Sequence, residues 1–109
     1  MVTIDTILNW FQEQIEQKIP VSAGMYLEAA QKMIVLLANI DDEIVEKELT
    51  VNRQIADMIE SGDSVSAAKI KVKALNDYAD LQRLIAKKER AKGFIQISKK
   101  RVELQNFDY

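Results

Sequence analysis

From Tyr26 to Met58 one row of residues recurs at alternating steps of four and three: Tyr26, Ala30, Met33, Leu37, Ile40, Ile44, Lys47, Val51, Gln54 and Met58. That is heptad spacing, and a helix carrying it over so many turns presents an apolar seam that must be covered by another helix. Lys47 and Gln54 interrupt the seam, and polar seam positions of this kind set register or oligomer state at a cost in stability. The helix is expected over 22–61. Its start is marked by Ser22, a good N-cap, with Val21 and Tyr26 placed as a hydrophobic staple. Its end is marked by "ESGDS", where Gly62 stands at a C-cap position and Asp63 or Ser64 can cap the next helix.

The covering partner is expected over 64–104. Its seam passes through Ile70, Ala74, Tyr78, Leu81 and Ile85, then shifts to Leu84, Ala91, Ile95 and Val102. "AAKIKVKAL" alternates like a strand, but its alanines and its place within a helical period favour helix. Two long helices joined by a few residues fold back as an antiparallel hairpin. Ahead of them, Ile4, Ile7, Leu8, Phe11, Ile15 and Ile19 form one stripe of a short helix within 1–19, capped by Thr3 or Asp5 and ended near Lys18 by Pro20. Trp10 falls on the flank of that stripe. The expected fold is all-α: a short N-terminal helix followed by a long, coiled-coil-like antiparallel hairpin. The tail "QNFDY", residues 105–109, is expected to fray or to dock a partner. One domain fits 109 residues, and so small a chain with long helices is expected to self-associate as a homo-oligomer.

Composition excludes much chemistry. With no Cys and no His there is no thiolate, no disulfide and no imidazole proton shuttle. Gly24, Gly62 and Gly93 do not form a phosphate-binding loop, and the serines lack a histidine base. Asp42 and Glu46 lie four apart and could share a cation, but no loop supplies further oxygens. With Asp41 and Glu43 they read as a solvated acidic face. No catalytic residue, cofactor, metal or small-molecule substrate is expected. "MVTIDTILNW" does not read as a signal peptide and no apolar run is long enough for a membrane span, so a cytoplasmic protein without membrane partners is expected.

Charge is unevenly distributed. Residues 1–62 carry a net −7 and residues 63–109 a net +5, within an overall −2. The positive charge gathers in "IAKKERAKGFIQISKKRVEL", residues 85–104, which hold seven Lys or Arg and two Glu. At 100° per residue, Arg83, Lys87, Arg90, Phe94 and Arg101 fall on one side of a helix. Lys88, Lys92 and Lys99 fall on the other side of the Leu84, Ala91, Ile95 and Val102 seam, and Lys100 completes the cationic set. Two readings are open. Cations that neutralise phosphates, with Phe94 as a stacking face, would bind single-stranded nucleic acid. Alternatively the stems cover the seam and the heads stay wet. Gly93, costly inside a helix, hints at a bend or a close approach. The hairpin sets Asp41 to Glu48 opposite Asp77 to Leu84, so the acidic cluster meets only the beginning of the basic run.

"KIPVSAGMYLEAAQKM", an extended entry followed by a helix beginning Tyr-x-Glu-Ala-Ala, resembles the start of the recombination mediator (UvsY) family of large tailed bacteriophages. "ERAKGFIQISKKRVELQNF" is similar to that family's C-terminal helix, with its basic-Gly-Phe-x-Ile-basic pattern. Together they cover about a third of the chain. The resemblance implies a ring-like helical oligomer that binds single-stranded DNA, contacts a recombinase and helps it displace single-strand-binding protein. It touches Tyr26, Glu28, Ala29 and Ala30 at the helix start, and Lys92, Gly93, Phe94, Lys99, Lys100 and Arg101 at the end. The chain departs from the family in being shorter, acidic overall and only moderately basic along the strip. The alternative is a nucleic-acid-free helical interaction protein, such as a virion component or a small inhibitor or adaptor of a host protein.

Overall fold

A computed structural model describes residues 2–107, without the side chains of 105–107. It contains four helices, α1 (Ile4–Glu16), α2 (Ala23–Glu60), α3 (Val65–Val72) and α4 (Asn76–Phe107), and no strand among the described residues. The expected all-α fold is correct, and α2 packs against α4 in a hairpin-like arrangement. The contacts divide the chain into two units, residues 1–39 with 87–109, and residues 40–86.

The first unit holds α1, the beginning of α2 and the later part of α4. Thr3 caps α1: its hydroxyl accepts from the Thr6 N–H at 3.1 Å, while the Thr3 N–H donates to the Thr6 hydroxyl at 3.3 Å. At the other end Lys18 adopts a left-handed φ of 56°, and the Ile19 N–H donates back to the Gln14 carbonyl at 2.9 Å. The helix has therefore closed before Pro20, where the proline rule put its end. Ser22 then accepts from the Met25 N–H at 3.2 Å and starts α2. Ile4 and Ile7 of α1 are buried with Tyr26, Ala29 and Met33 of α2 and Ala91, Phe94 and Ser98 of α4. Ile15 and Ile19, placed on the α1 stripe by spacing, are exposed instead. Three rings tie the helices together: Phe11 meets Tyr26 edge-on at 5.8 Å and Phe94 edge-on at 5.2 Å.

The second unit holds the rest of α2, all of α3 and the start of α4. Its core is Ile40, Ile44, Val51, Ala68, Val72 and Leu81. The turn after α2 uses Gly62 at φ 112°, with the Asp63 N–H donating to the Met58 carbonyl and the Gly62 N–H to the Ile59 carbonyl. Ser64 caps α3 by accepting from the Ala67 N–H at 3.1 Å.

The expected single helix over 64–104 is in fact two. After Val72 the chain tightens: the Lys73, Ala74 and Leu75 N–H groups donate to the carbonyls of Ile70, Lys71 and Val72, three residues back. Ala68 and Val72, four apart, are the buried stripe of α3, and Ile70, roughly 200° from Val72, stays out. Ala74, assigned to the seam by spacing, is exposed, as is Ile70. The other assigned seam residues Tyr26, Met33, Ile40, Ile44, Val51 and Leu81 are buried, and Ala30, Leu37, Met58, Tyr78, Ile85 and Ile95 are half-buried. The tail expectation concerns residues outside this description: Asp108, Tyr109 and the side chains of 105–107.

Candidate nucleic-acid interface and neighbouring grooves

The nine residues read as a cationic strip do not act alike. Arg83 belongs to the second unit and pairs with Asp80, three residues earlier, at 2.8 Å. The remaining eight belong to the first unit. Lys87 is half-buried and reaches Asp5 of α1 at 3.4 Å. Lys88 is half-buried and engaged. Lys92 approaches Glu89 at 3.8 Å. Arg90, Lys99, Lys100 and Arg101 are exposed, and among the described residues none of them makes an ion pair.

Phe94 corrects the sequence reading. It is 3% exposed, its ring edge-on to Phe11, and it cannot offer a face to a base. The reason is α1: Phe94 shares a side of α4 with Arg90 and Arg101, but Phe11 packs onto its ring and buries it along with Ala91 and Ser98. Gly93 is equally ordinary. A side chain built there meets nothing within 4 Å, so no close approach demands glycine.

Helix geometry then distributes the exposed cations. Arg90 and Arg101, eleven residues apart, fall within about 20° of each other, and Lys92 and Lys99 do so on the opposite flank. Lys100 projects between the two rows, on the outward face. A phosphate chain crossing this face would meet cations on both flanks of one helix, without an aromatic platform.

The second unit carries a polar cluster built on Asp77. Asp77 of α4 accepts from the Lys47 ammonium at 2.9 Å and from the Gln54 amide at 2.8 Å, and Asp80 adds a longer contact to Lys47 at 3.6 Å. Lys47 and Gln54 are the two polar residues that interrupted the α2 seam, and α4 meets them with carboxylates at the same level. The hydrogen bond from Lys47, then that from Gln54, holds the Asp77 carboxyl below its ordinary value. The hydrogen bond to Asp77 raises Lys47 above its ordinary value, with burial opposing. The Gln54 carbonyl oxygen, buried, has no partner. The cluster ties α2 to α4. No group of three or more acidic residues that could hold a metal ion occurs among the described residues.

Two shallow apolar grooves in the first unit were not legible from spacing, because each needs two helices. One, about 340 Å³, lies between α1 and α2 and is lined by Val2, Ile7, half-buried Trp10, Met25 and Ala29, with the Glu28–Lys32 ion pair at its edge. The other, about 250 Å³, lies between α2 and α4. No helix among the described residues is long and apolar enough to cross a membrane.

The chain matches no family model, and neither a curated protein nor a solved structure shows significant similarity to it.

Proposed function

We propose that this chain is a non-enzymatic, self-associating helical protein that binds single-stranded DNA through the outward side of α4 and helps load a recombinase. The observation that supports this reading is the set of four exposed cations without ion-pair partners, Arg90, Lys99, Lys100 and Arg101, within twelve residues of one helix. The resemblance of "KIPVSAGMYLEAAQKM" and "ERAKGFIQISKKRVELQNF" to the phage recombination mediators adds the recombinase. Phe94 takes no part in binding, so the contact is phosphate-directed and indifferent to sequence. Four phosphate contacts give a slope of log K against log salt of about −2.8 for a single strand, or roughly a 50-fold loss from about 50 to 200 mM.

The test is fluorescence anisotropy of a labelled single-stranded oligonucleotide at several salt concentrations. The variant changes Arg90, Lys99, Lys100 and Arg101 to Gln. Binding that follows this slope and is lost in the variant supports the reading; absence of binding at low salt overturns it.

A second reading draws on the Trp10 groove: a nucleic-acid-free interaction protein that accepts an apolar helix between α1 and α2. Such a contact responds weakly to salt and is lost on Trp10→Ala, while the four-cation variant leaves it intact. Recombinase captured by the wild type but not by Trp10→Ala would join the two readings.

A further inference from the structure

Within the first unit, α2 and α4 form a helix pair with two long grooves, and α1 occupies only one. On that side Phe11 reaches both Tyr26 and Phe94, and Asp5 reaches Lys87. The opposite groove is lined by Leu27, Ala30 and Ile34 from α2 and Ile95, Ser98 and Val102 from α4, with no residue of α1. Leu27 is 50% and Ile34 55% exposed, large apolar side chains left in water beside a concave seam. Ser98, 1% exposed, lies in its wall with a hydroxyl that has no hydrogen-bond partner. The α4 edge of the groove carries Lys99 and Glu103, one turn apart and opposite in charge. Neither has an ion-pair partner among the described residues.

We propose that this groove is covered by the same groove of a second copy of the chain, with the two α4 helices antiparallel about a two-fold axis. The proposal rests on the self-association in the functional reading above and supplies its surface. The charge pattern selects the occupant. A two-fold axis perpendicular to α4, passing between Lys99 and Glu103, sets Lys99 of each copy against Glu103 of the other, so one operator satisfies four charges, and in the dimer Arg90, Lys100 and Arg101 remain for phosphate. A parallel pairing would set like against like. The apolar strip from Leu27 to Ile34 then meets its own copy, and the two helix pairs become four helices around a shared core. The contact is small: about 10 Å along the helices and roughly 20 Å across two of them. That footprint lies well below the roughly 800 Å² per partner of a standard stable interface, so the dimer is weak and concentration-dependent.

Sedimentation equilibrium tests this on the whole chain, from about 10 µM to about 1 mM, a range that reaches weak affinities. Wild type should shift from monomer towards dimer. Glu103→Lys alone, or Lys99→Glu alone, places like charges together and should weaken association at least tenfold. The double swap Lys99→Glu with Glu103→Lys should restore it. Ile34→Asp, at an exposed position, should abolish it with helix content unchanged by circular dichroism. A constant monomer mass overturns the proposal, as does a double swap that fails to recover, or an assembly indifferent to Ile34→Asp. Ile34→Asp alters none of the DNA-binding cations, so its oligonucleotide titration separates the two claims. Dimer without DNA binding in wild type removes the DNA reading alone; DNA binding by a strictly monomeric chain removes the groove and the self-association and leaves the DNA contact.

Discussion

Phe94 gives the sharpest test of where the chain keeps its aromatic surface. The ring is 97% out of water and stands edge-on to Phe11, which in turn stands edge-on to Tyr26. Phe94→Ala removes a buried aromatic from a junction of three helices, a change that costs about 3–5 kcal/mol in other cores. About 1 kcal/mol of that is the edge-to-face pair itself. A chain of 109 residues has a total stability of roughly 5–16 kcal/mol. Phe94→Ala therefore removes a large part of it, and Phe94→Leu, which keeps most of the volume, should cost about 1–2 kcal/mol. At about 4–8 °C per kcal/mol that lowers Tm by roughly 4–16 °C. Thermal melts followed at 222 nm measure the shift, and anisotropy well below the new midpoint measures DNA affinity. Phe94→Leu should melt early and bind the oligonucleotide as wild type does. An unchanged Tm with weakened binding would refute the burial argument and return Phe94 to the surface as a stacking platform.

Gly93→Ala places a methyl in open space within a helix interior and should raise stability by about 1 kcal/mol, read as a higher urea midpoint at unchanged slope. Ser98→Ala removes a buried hydroxyl without a partner and should stabilise or be neutral; a loss beyond about 1 kcal/mol would mean that the hydroxyl is satisfied in solution. Asp77 sets an acid limb on stability. Its folded carboxyl lies below the ordinary 3.8, through Lys47 first and Gln54 second, so its contribution is complete above 3.8 and fades as pH falls through the lowered value. Lys47, raised above 10.5 chiefly by Asp77, contributes below 10.5 and is lost as pH rises through the raised value. Between those limits this pair contributes a constant amount, and urea midpoints of Asp77→Asn across pH 2–7 should lack its acid-side decline.

The helix starts were legible because caps are local chemistry. Thr3, Ser22 and Ser64 each accept from an N–H three residues on, and Gly62 supplies the positive φ that ends α2. The heptad row was legible for the same reason a seam exists at all, and its two polar interruptions turned out to share Asp77. The break at residues 73–75 was not, since each half of "AAKIKVKAL" is compatible with helix and no Gly or Pro marks the turn. Phe94 was misplaced by a narrow margin of phase: it lies within about 40° of Arg90, near the border between wet and dry sides, and α1 decides the matter by bringing Phe11 onto it. The two grooves depend on which helix covers which side, and no single stretch of sequence carries that.

The break between α3 and α4 bears on how this chain can change length over generations. One residue inserted within the α2 seam rotates everything beyond it by about 100° and turns buried positions outward. Residues 73–75 already interrupt the phase, and Lys73 and Ala74 are exposed there. An added or lost residue at that point is absorbed by a turn that no helix has to continue through. Length differences among descendants of this sequence should therefore collect at 73–75 and be purged from 40–58. The same short turn is the natural place to insert a tag.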